Sequence, residues 1–294
     1  MAFAADQIEL LAVTTVGGNV PAAATARNAC ILRQIAGRED VPVFAGADRP
    51  LRRDPAGAGE FHGAEGLGDL SPFETRKGVE NGHAADALIR LVMERPEGEV
   101  TLIMMGPMTN LALALRKEPS LATRLKTVVA MGGARSEGGN ITASAEFNIW
   151  ADPDAAHEVL SSPAKVVMLG LDATHQVRVS EERIQTIEAI DNDPARTVAA
   201  MLRFSQRIER EIVGWHSAPL HDPCTVAYVL APELFDVVPA NIRVECDSDL
   251  TRGHTAVEFR VKPEDTRHLW AKGVRDREVF YLIGQLLARA GEPK

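Results

Sequence analysis

The stretch TVVAMGGARSEGGNITASAEFNIWADPDAA, residues 127–156, contains a strand, a glycine-bearing loop and the start of a helix. The Asp-Pro pair at 152–153 is typical of a helix N-terminus, with Asp as the cap and Pro in the first turn. Asn140, Glu146 and Asn148 lie between the strand and this helix. Amide and carboxylate groups after a strand end suit a ligand with several hydroxyls, such as a sugar. A polar loop whose side chains only satisfy turns is an equally weighted alternative.

Outward from this stretch, apolar strand patterns alternate with helical patterns along the whole chain. Near-continuous apolar runs predict buried strands, and amphipathic segments between them predict helices. This alternation predicts an α/β fold, a mostly parallel open sheet with helices on both faces, in a single domain over residues 1–294. The predicted buried strands lie at 8–16, 100–105, 127–131 and 165–169.

The composition excludes several classes of protein. The formal net charge of −9 argues against a nucleic-acid or membrane-surface partner, because both usually require a basic face. No apolar run is long enough to span a bilayer. The three cysteines are far apart, which makes a disulfide framework or a zinc site unexpected and favours a reducing cytoplasm.

Three further polar residues lie in loops where a ligand could bind. Asn19 follows a strand and a Gly-Gly pair, and Thr109 follows the Gly-Pro turn after the next buried strand. Ligands of open parallel sheets bind outside the carboxyl ends of the strands. His62 lies in a long glycine-bearing loop, and such loops are often binding loops. The alternatives are a turn residue for Asn19, a helix cap for Thr109 and an exposed loop histidine for His62.

The triplet His221-Asp222-Pro223 precedes the helical run that starts at Cys224. A helix cap is the structural interpretation of Asp222. The functional interpretation is an oxygen ligand for calcium or magnesium beside a histidine that protonates a leaving group.

Taken in order, six blocks of this sequence resemble the inosine–uridine-preferring nucleoside hydrolases. They cover almost the whole chain, and the AEFN and HDP blocks are specific in combination. The resemblance implies a Rossmann-like nucleoside hydrolase fold and hydrolysis of the N-glycosidic bond of purine or pyrimidine ribonucleosides, with calcium in the active site. It also implies a homodimer or homotetramer. The blocks are VTTVGGNV, MGPMTNLALAL, MGGARSEGGNITASAEFNIWADPDAA, GLDATH, LHDPCTVAYVLAPELF and TRGHT.

The resemblance also implies roles for individual residues. His221 matches the proton donor to the leaving base, and His62 matches a histidine of the base-side loop. Asp222 and the Thr109 carbonyl match calcium ligands. Ribose contacts are implied for Asn19, Asn140, Glu146 and Asn148, with the Met131 backbone nearby.

One departure from the family pattern concerns the start of the chain. The family opens with a strand and an Asp-x-Asp-Pro-Gly-x-Asp-Asp cluster, which supplies the catalytic base and most of the carboxylates on calcium. This sequence aligns from beyond that cluster, so Asp222 is the only carboxylate left for a metal that takes ~6–8 oxygens. We therefore expect the sheet to lack one interior strand, either because the start is misassigned or because the chain is truncated.

The alternative function is a non-catalytic protein that binds ribose or nucleoside or acts as a scaffold. Base preference is not predicted.

Overall fold

The computed structural model describes residues 1–262, 264 and 266–290. Short 3-10 turns at Ala2–Ala4 and Pro232–Leu234 and a π-helical turn at Glu209–Val213 accompany the α-helices. No helix in these ranges is both long and apolar enough to cross a bilayer. The α-helices are α1 (Ala22–Ile35), α2 (Gly59–His62), α3 (Ala84–Met93), α4 (Thr109–Lys117), α5 (Leu121–Arg124), α6 (Phe147–Ala151), α7 (Pro153–Ser161), α8 (Leu171–Thr174), α9 (Glu181–Glu188), α10 (Asp193–Ile208), α11 (Pro223–Leu230) and α12 (Asp276–Arg289).

The strands form one main sheet and two small ones. Over the described ranges, the main sheet has six strands in the order β3-β4-β5-β10-β8-β9. Strands β3, β4, β5 and β10 are parallel, and β8 and β9 add antiparallel pairings at one side. The strands are β1 (Val13–Thr14), β2 (Val43–Phe44), β3 (Thr101–Met104), β4 (Thr127–Met131), β5 (Val166–Leu169), β6 (Arg178–Val179), β7 (Ala218–Pro219), β8 (Phe235–Val244), β9 (Thr255–Glu258) and β10 (His268–Val274).

Helices cover both faces of the main sheet, as the sequence predicts. Successive residues of a strand point to opposite faces, so β4 contributes Val128 to one buried cluster and Val129 to the other. The first cluster includes residues of α3, α4 and α7, and the second includes residues of α9, α10 and α12. The predicted mostly parallel α/β fold is therefore confirmed.

Two predicted elements are shorter or different in the structure. The apolar run at 8–16 is a strand only at Val13–Thr14, where it pairs in parallel with Val43–Phe44. The helical pattern of residues 194–213 predicts one long helix, but the α-helix ends at Ile208 and a π-helical turn follows it. An apolar pattern fixes which residues are buried, but the length of a strand depends on the length of its partner.

The turn after β3 meets the end of β1 through one asparagine. Asn110 donates a 2.8 Å hydrogen bond to the Thr15 carbonyl, and its side-chain oxygen accepts a 2.9 Å bond from the Ala47 amide. In the described ladders β1 pairs with β2 and β3 pairs with β4, and no pairing joins β1 to β3. The expectation of one further strand stays a prediction.

Gly170, at the carboxyl end of β5, lies against the fully buried Trp270 and provides a test of the packing. A Cβ at this glycine would lie 2.5 Å from Trp270 Cζ2 and 2.8 Å from the Gly133 carbonyl oxygen. We expect Gly170→Ala to lower the free energy of unfolding by about 1–3 kcal/mol, because a rigid ring and a backbone atom must move. Urea denaturation measures this change.

A matched control is Gly284→Ala in α12, where a Cβ meets no atom within 4 Å. This substitution is expected to raise the free energy of unfolding by roughly 0.5–1 kcal/mol, since alanine favours the helix. Equal stability of the Gly170→Ala variant and the wild type would contradict the packing described here.

Candidate active site at the carboxyl ends of the strands

Glu146 is a buried carboxylate of the site, with an exposed fraction of 2%. It lies at the N-terminus of α6, where its side chain accepts hydrogen bonds from the Asn148 amide at 2.9 Å and the Ile149 amide at 3.2 Å. A third bond comes from the Gly133 amide at 3.0 Å, in the loop after β4. Burial raises the pKa of Glu146, and the three amide donors oppose this rise. Glu146 is therefore fixed in one orientation by the backbone.

Asn148 and Asn140 surround Glu146. Asn148 donates its side-chain amide to the Met131 carbonyl at 3.2 Å, so the first turn of α6 is tied to the end of β4. Asn140 accepts a 2.9 Å hydrogen bond from the Phe147 amide. Part of the alternative interpretation therefore holds, because both asparagines stabilise the loop. The same contacts place Glu146, Asn148 and Met131 in one group.

Asp222 is the second carboxylate of this group. It precedes α11, but its side chain makes no capping hydrogen bond to that helix, so the structure does not support the cap interpretation. Burial first, and the nearby charge of Glu146 second, raise the pKa of Asp222 to about 7. The Asp222 side chain is thus a half-buried acid that faces a second acid.

His221 precedes Asp222 in the chain, and His175 and His62 lie close enough to affect its charge. Its Nδ1 is 2.8 Å from the Thr174 hydroxyl at the end of α8. Burial first, and then the nearby charges of His175 and His62, lower the pKa of His221 to about 3. His221 is therefore neutral at pH 7. His62, at the end of α2, is exposed. The protein around its ring lowers the pKa of His62 by desolvation.

A cluster around His175 was not predicted from the sequence as part of the site. The His175 ring lies 5.6 Å from the His221 ring and 5.3 Å from the edge-on Trp215 ring, measured between centroids. Glu137 Oε2 is 3.1 Å from His175 Nδ1, and Arg178 stacks on Trp215 at 4.2 Å. The GLDATH block contains His175, but its contact with Glu137 joins residues from separate loops and leaves no local sequence signal.

Thr109 and Asn19 lie together in a cavity whose lining does not include Glu146, Asn148, Asp222 or His221. They line the same cavity of about 700 Å³. The Thr109 hydroxyl donates a 2.6 Å hydrogen bond to Asp152 Oδ2, which also accepts from the Leu51 amide at 3.0 Å. Asp152 caps α7 through the Ala155 amide, as its sequence predicts. Asp152 therefore has two roles: it caps α7, as its sequence predicts, and it also positions Thr109, which its sequence does not predict.

The donors carried over for calcium do not make a calcium site on their own. Asp222 supplies one carboxylate and Thr109 one carbonyl, whereas calcium takes ~6–8 oxygens. The oxygens of Glu146 and Asp152 already accept backbone or hydroxyl hydrogen bonds. In residues 1–262, 264 and 266–290, no group of three or more His, Cys, Asp or Glu side chains is arranged to hold a metal ion. The described residues thus do not fit calcium.

Replacement of Asp222 tests the charge of this site. The pKa of about 7 in the folded state lies above 3.8, the ordinary pKa of an aspartate in an unfolded chain. Ionisation of Asp222 therefore costs stability as the pH rises from 4 to 7 and above. We expect Asp222→Asn to raise the free energy of unfolding at pH 8 by about 1–3 kcal/mol, and to change it little at pH 4. Urea denaturation at both pH values in chelator measures this difference. A variant less stable than the wild type at pH 8 would contradict it.

Comparisons with known proteins agree with this geometry. The sequence model of the family described as inosine-uridine preferring nucleoside hydrolase matches residues 1–281. The inosine-uridine preferring nucleoside hydrolase of Crithidia fasciculata is 39% identical over 290 residues, covering 98% of this chain and 92% of that protein. An uncharacterized protein of Schizosaccharomyces pombe is 45% identical over 98% of this chain and 94% of its own length.

A solved structure is similar over nearly the whole length. The purine-preferring ribonucleoside hydrolase from Gardnerella vaginalis superposes with a TM-score of 0.90 and 28% sequence identity. The match covers 99% of this chain and 92% of that protein. The fold is therefore shared with this ribonucleoside hydrolase.

Proposed function

Because this chain belongs to the inosine-uridine preferring nucleoside hydrolase family and is a ribonucleoside hydrolase, we propose that its reaction takes place at Glu146, Asn148, Asp222 and His221. One observation carries the assignment of the site. The rigid Glu146–Asn148–Met131 group lies within electrostatic range of Asp222, which directly follows the neutral, half-buried His221 in the chain. Water adds to the anomeric carbon of the ribosyl cation as its bond to the base breaks, and the proton that this water loses balances the charge of the departing base. The products are free base and ribose.

Ribose is bound by the acidic group in this proposal. Oε2 of Glu146 accepts from two backbone amides, whereas Oε1 accepts from one and keeps a lone pair for a sugar hydroxyl. The side chains of Asn140, Asn148 and Asn19 can each donate and accept. Glycoside cleavage passes through an oxocarbenium-like state. A carboxylate locked in place can stabilise its positive charge without reorganisation.

His221 acts on the leaving base in this proposal. When the Thr174 hydroxyl donates to Nδ1, the proton of the neutral ring lies on Nε2 and is free for the base. Negative charge that develops on the base strengthens this hydrogen bond as the glycosidic bond breaks. His62 contributes to the base side because it lies close enough to His221 to affect its pKa.

Calcium stays a proposal that the family resemblance implies, with Asp222 and the Thr109 carbonyl as its ligands. The oxygen donors of the described residues are too few to bind it on their own. Calcium added to residues 1–294 at pH 8 is therefore expected to leave the midpoint of thermal unfolding unchanged, because a ligand stabilises a fold only when its concentration exceeds its Kd. A rise that saturates with calcium would overturn this conclusion.

Three further proposals concern the oligomeric state, the cellular location and the bases of the substrates. We propose a homodimer or homotetramer, which analytical ultracentrifugation tests. A cytoplasmic location is supported by the free thiols of Cys30, Cys224 and Cys246. The compared proteins differ in the bases that their names give, so both purine and pyrimidine ribonucleosides are proposed as substrates.

Incubation with inosine and uridine in phosphate-free buffer tests the proposed reaction. We expect equal amounts of free base and ribose, quantified by chromatography. The second candidate function, a protein that binds nucleoside without cleaving it, is favoured by the incomplete metal donor set. Calorimetric binding of inosine without release of hypoxanthine would support this second function.

A further inference from the structure

A second cavity, of about 810 Å³, adjoins the one that contains Asn19 and Thr109 and has four arginines in its lining. Arg49, Arg52 and Arg53 come from the loop after β2, and Arg252 comes from the loop between β8 and β9. Trp150 of α6 completes the wall. Four guanidinium groups thus converge from two distant segments of a chain whose net charge is −9.

The carboxylates near these arginines do not neutralise them. Asp54 pairs with Arg49 at 3.1 Å, and its side chain is 97% exposed, so this pair is weakly held. Asp154 lies 3.5 Å from Arg52 and 3.8 Å from Arg53, distances too long for good hydrogen bonds. Among the residues that line the cavity, four arginines stand against one carboxylate, Asp54, and Asp154 outside the lining offsets part of this excess.

Two arginines keep donors that the protein does not use. Arg252 makes no ion pair with a described residue, and its guanidinium stacks on the Trp150 ring at 4.7 Å. Such stacking fixes the plane of the fork and leaves its edge available. The Arg52 side chain is 71% exposed, and its 3.5 Å approach to Asp154 is too long for a good hydrogen bond, so its donors stay available at the cavity.

We propose that this arginine cavity binds the phosphate group of a small phosphorylated molecule. Guanidinium forks match phosphate oxygens in pairs, which makes arginine the preferred residue for a phosphate dianion. The cavity is within the ~300–1,000 Å³ typical of small-molecule sites. Phosphate oxygens would accept from Arg252 and from Arg52.

Two sources of the phosphate are compatible with the geometry. The arginine cavity shares part of its lining, including Arg49 and Ala151, with the cavity that contains Asn19 and Thr109. A nucleoside phosphate could therefore lie across both cavities. A separate phosphorylated molecule could instead occupy the arginine cavity beside a bound nucleoside. The nucleoside part of this distinction rests on the proposed function, but the phosphate site does not.

Isothermal titration calorimetry with pyrophosphate and uridine 5′-monophosphate tests the proposal without any turnover. At low salt, at least one of them is expected to bind with a Kd below about 1 mM. The double variant Arg52→Gln/Arg252→Gln is expected to lose at least about 10-fold in affinity, equivalent to one 1.4 kcal/mol step. Arg277→Gln, at an exposed arginine in α12, is the matched control and should bind as the wild type does.

Competition with ribose separates the two sources. Competition between uridine 5′-monophosphate and ribose indicates one molecule across both cavities, whereas simultaneous binding of pyrophosphate and ribose indicates a separate ligand. Both results support the phosphate site. Absence of saturable binding by both phosphates, or equal affinity of wild type and double variant when both give the same circular dichroism spectrum, would overturn it. A failure of the proposed hydrolysis appears instead as a lack of base release from inosine.

Discussion

Replacement of His221 by alanine is expected to lower kcat for inosine by about 10²–10⁴-fold, the usual range for loss of a positioned proton donor. The physical reason is that hypoxanthine leaves with negative charge, which the hydrogen bond from His221 Nε2–H stabilises. A riboside with an activated leaving group, such as p-nitrophenyl riboside, needs no such help and should lose less than about 10-fold in kcat. Steady-state kinetics on the two substrates measure the difference.

The acid–base state of His221 gives a second measurement on the same residue. Burial holds the pKa of His221 at about 3, so the ring is neutral across the neutral range. The wild-type pH profile of kcat/KM for inosine should therefore show no step from His221 near pH 6.5, the ordinary pKa of histidine. An equal loss on both substrates in the alanine variant would contradict the proton-donor role. Thr174→Val serves as a check on the ring orientation, since it removes the 2.8 Å contact to Nδ1.

Replacement of Glu146 by alanine is expected to affect both stability and activity. The backbone amides of Gly133, Asn148 and Ile149 lose their acceptor, which should lower the free energy of unfolding by about 2–4 kcal/mol. The loss of a fixed carboxylate beside the sugar should lower kcat/KM for inosine by at least about 10²-fold. Chemical denaturation and initial rates measure the two effects.

Two variants separate the causes of the Glu146→Ala effect. Glu146→Gln keeps one carbonyl oxygen for the amides and is expected to restore part of the stability but little of the activity. Glu97→Ala, at an exposed position outside the site, is the control and should change neither. A Glu146→Ala variant as stable as the wild type would show that the three hydrogen bonds do not form.

The sequence predicts the fold and the residue types of the site because both depend on local patterns. The strand at 127–131 and the cap at Asp152 were predicted and are confirmed. Ordered motifs also predict the family, because a fixed series of short blocks is unlike chance similarity. The roles of the individual site residues stay predictions until the variants above are measured.

Other parts of the site depend on contacts between distant segments. The contact of Glu137 with His175 and the bond of Thr109 to Asp152 join residues that no local pattern links. The same holds for Arg252 and the loop after β2, which meet only in the folded chain. The raised pKa of Asp222 is also not predictable from local sequence, because it depends on the burial of its side chain and on the nearby charge of Glu146.

Hydrolysis of inosine by the wild type and by Asn148→Ala tests the central claim most directly. Asn148 belongs to the ribose group and is tied to the Met131 carbonyl. We predict that the wild type releases hypoxanthine and ribose in equal amounts. Asn148→Ala, shown to be folded by circular dichroism, should have a kcat/KM lower by about 10-fold or more, the value of one lost buried hydrogen bond. Release of no base by the folded wild type, or equal rates for wild type and variant, would contradict the account.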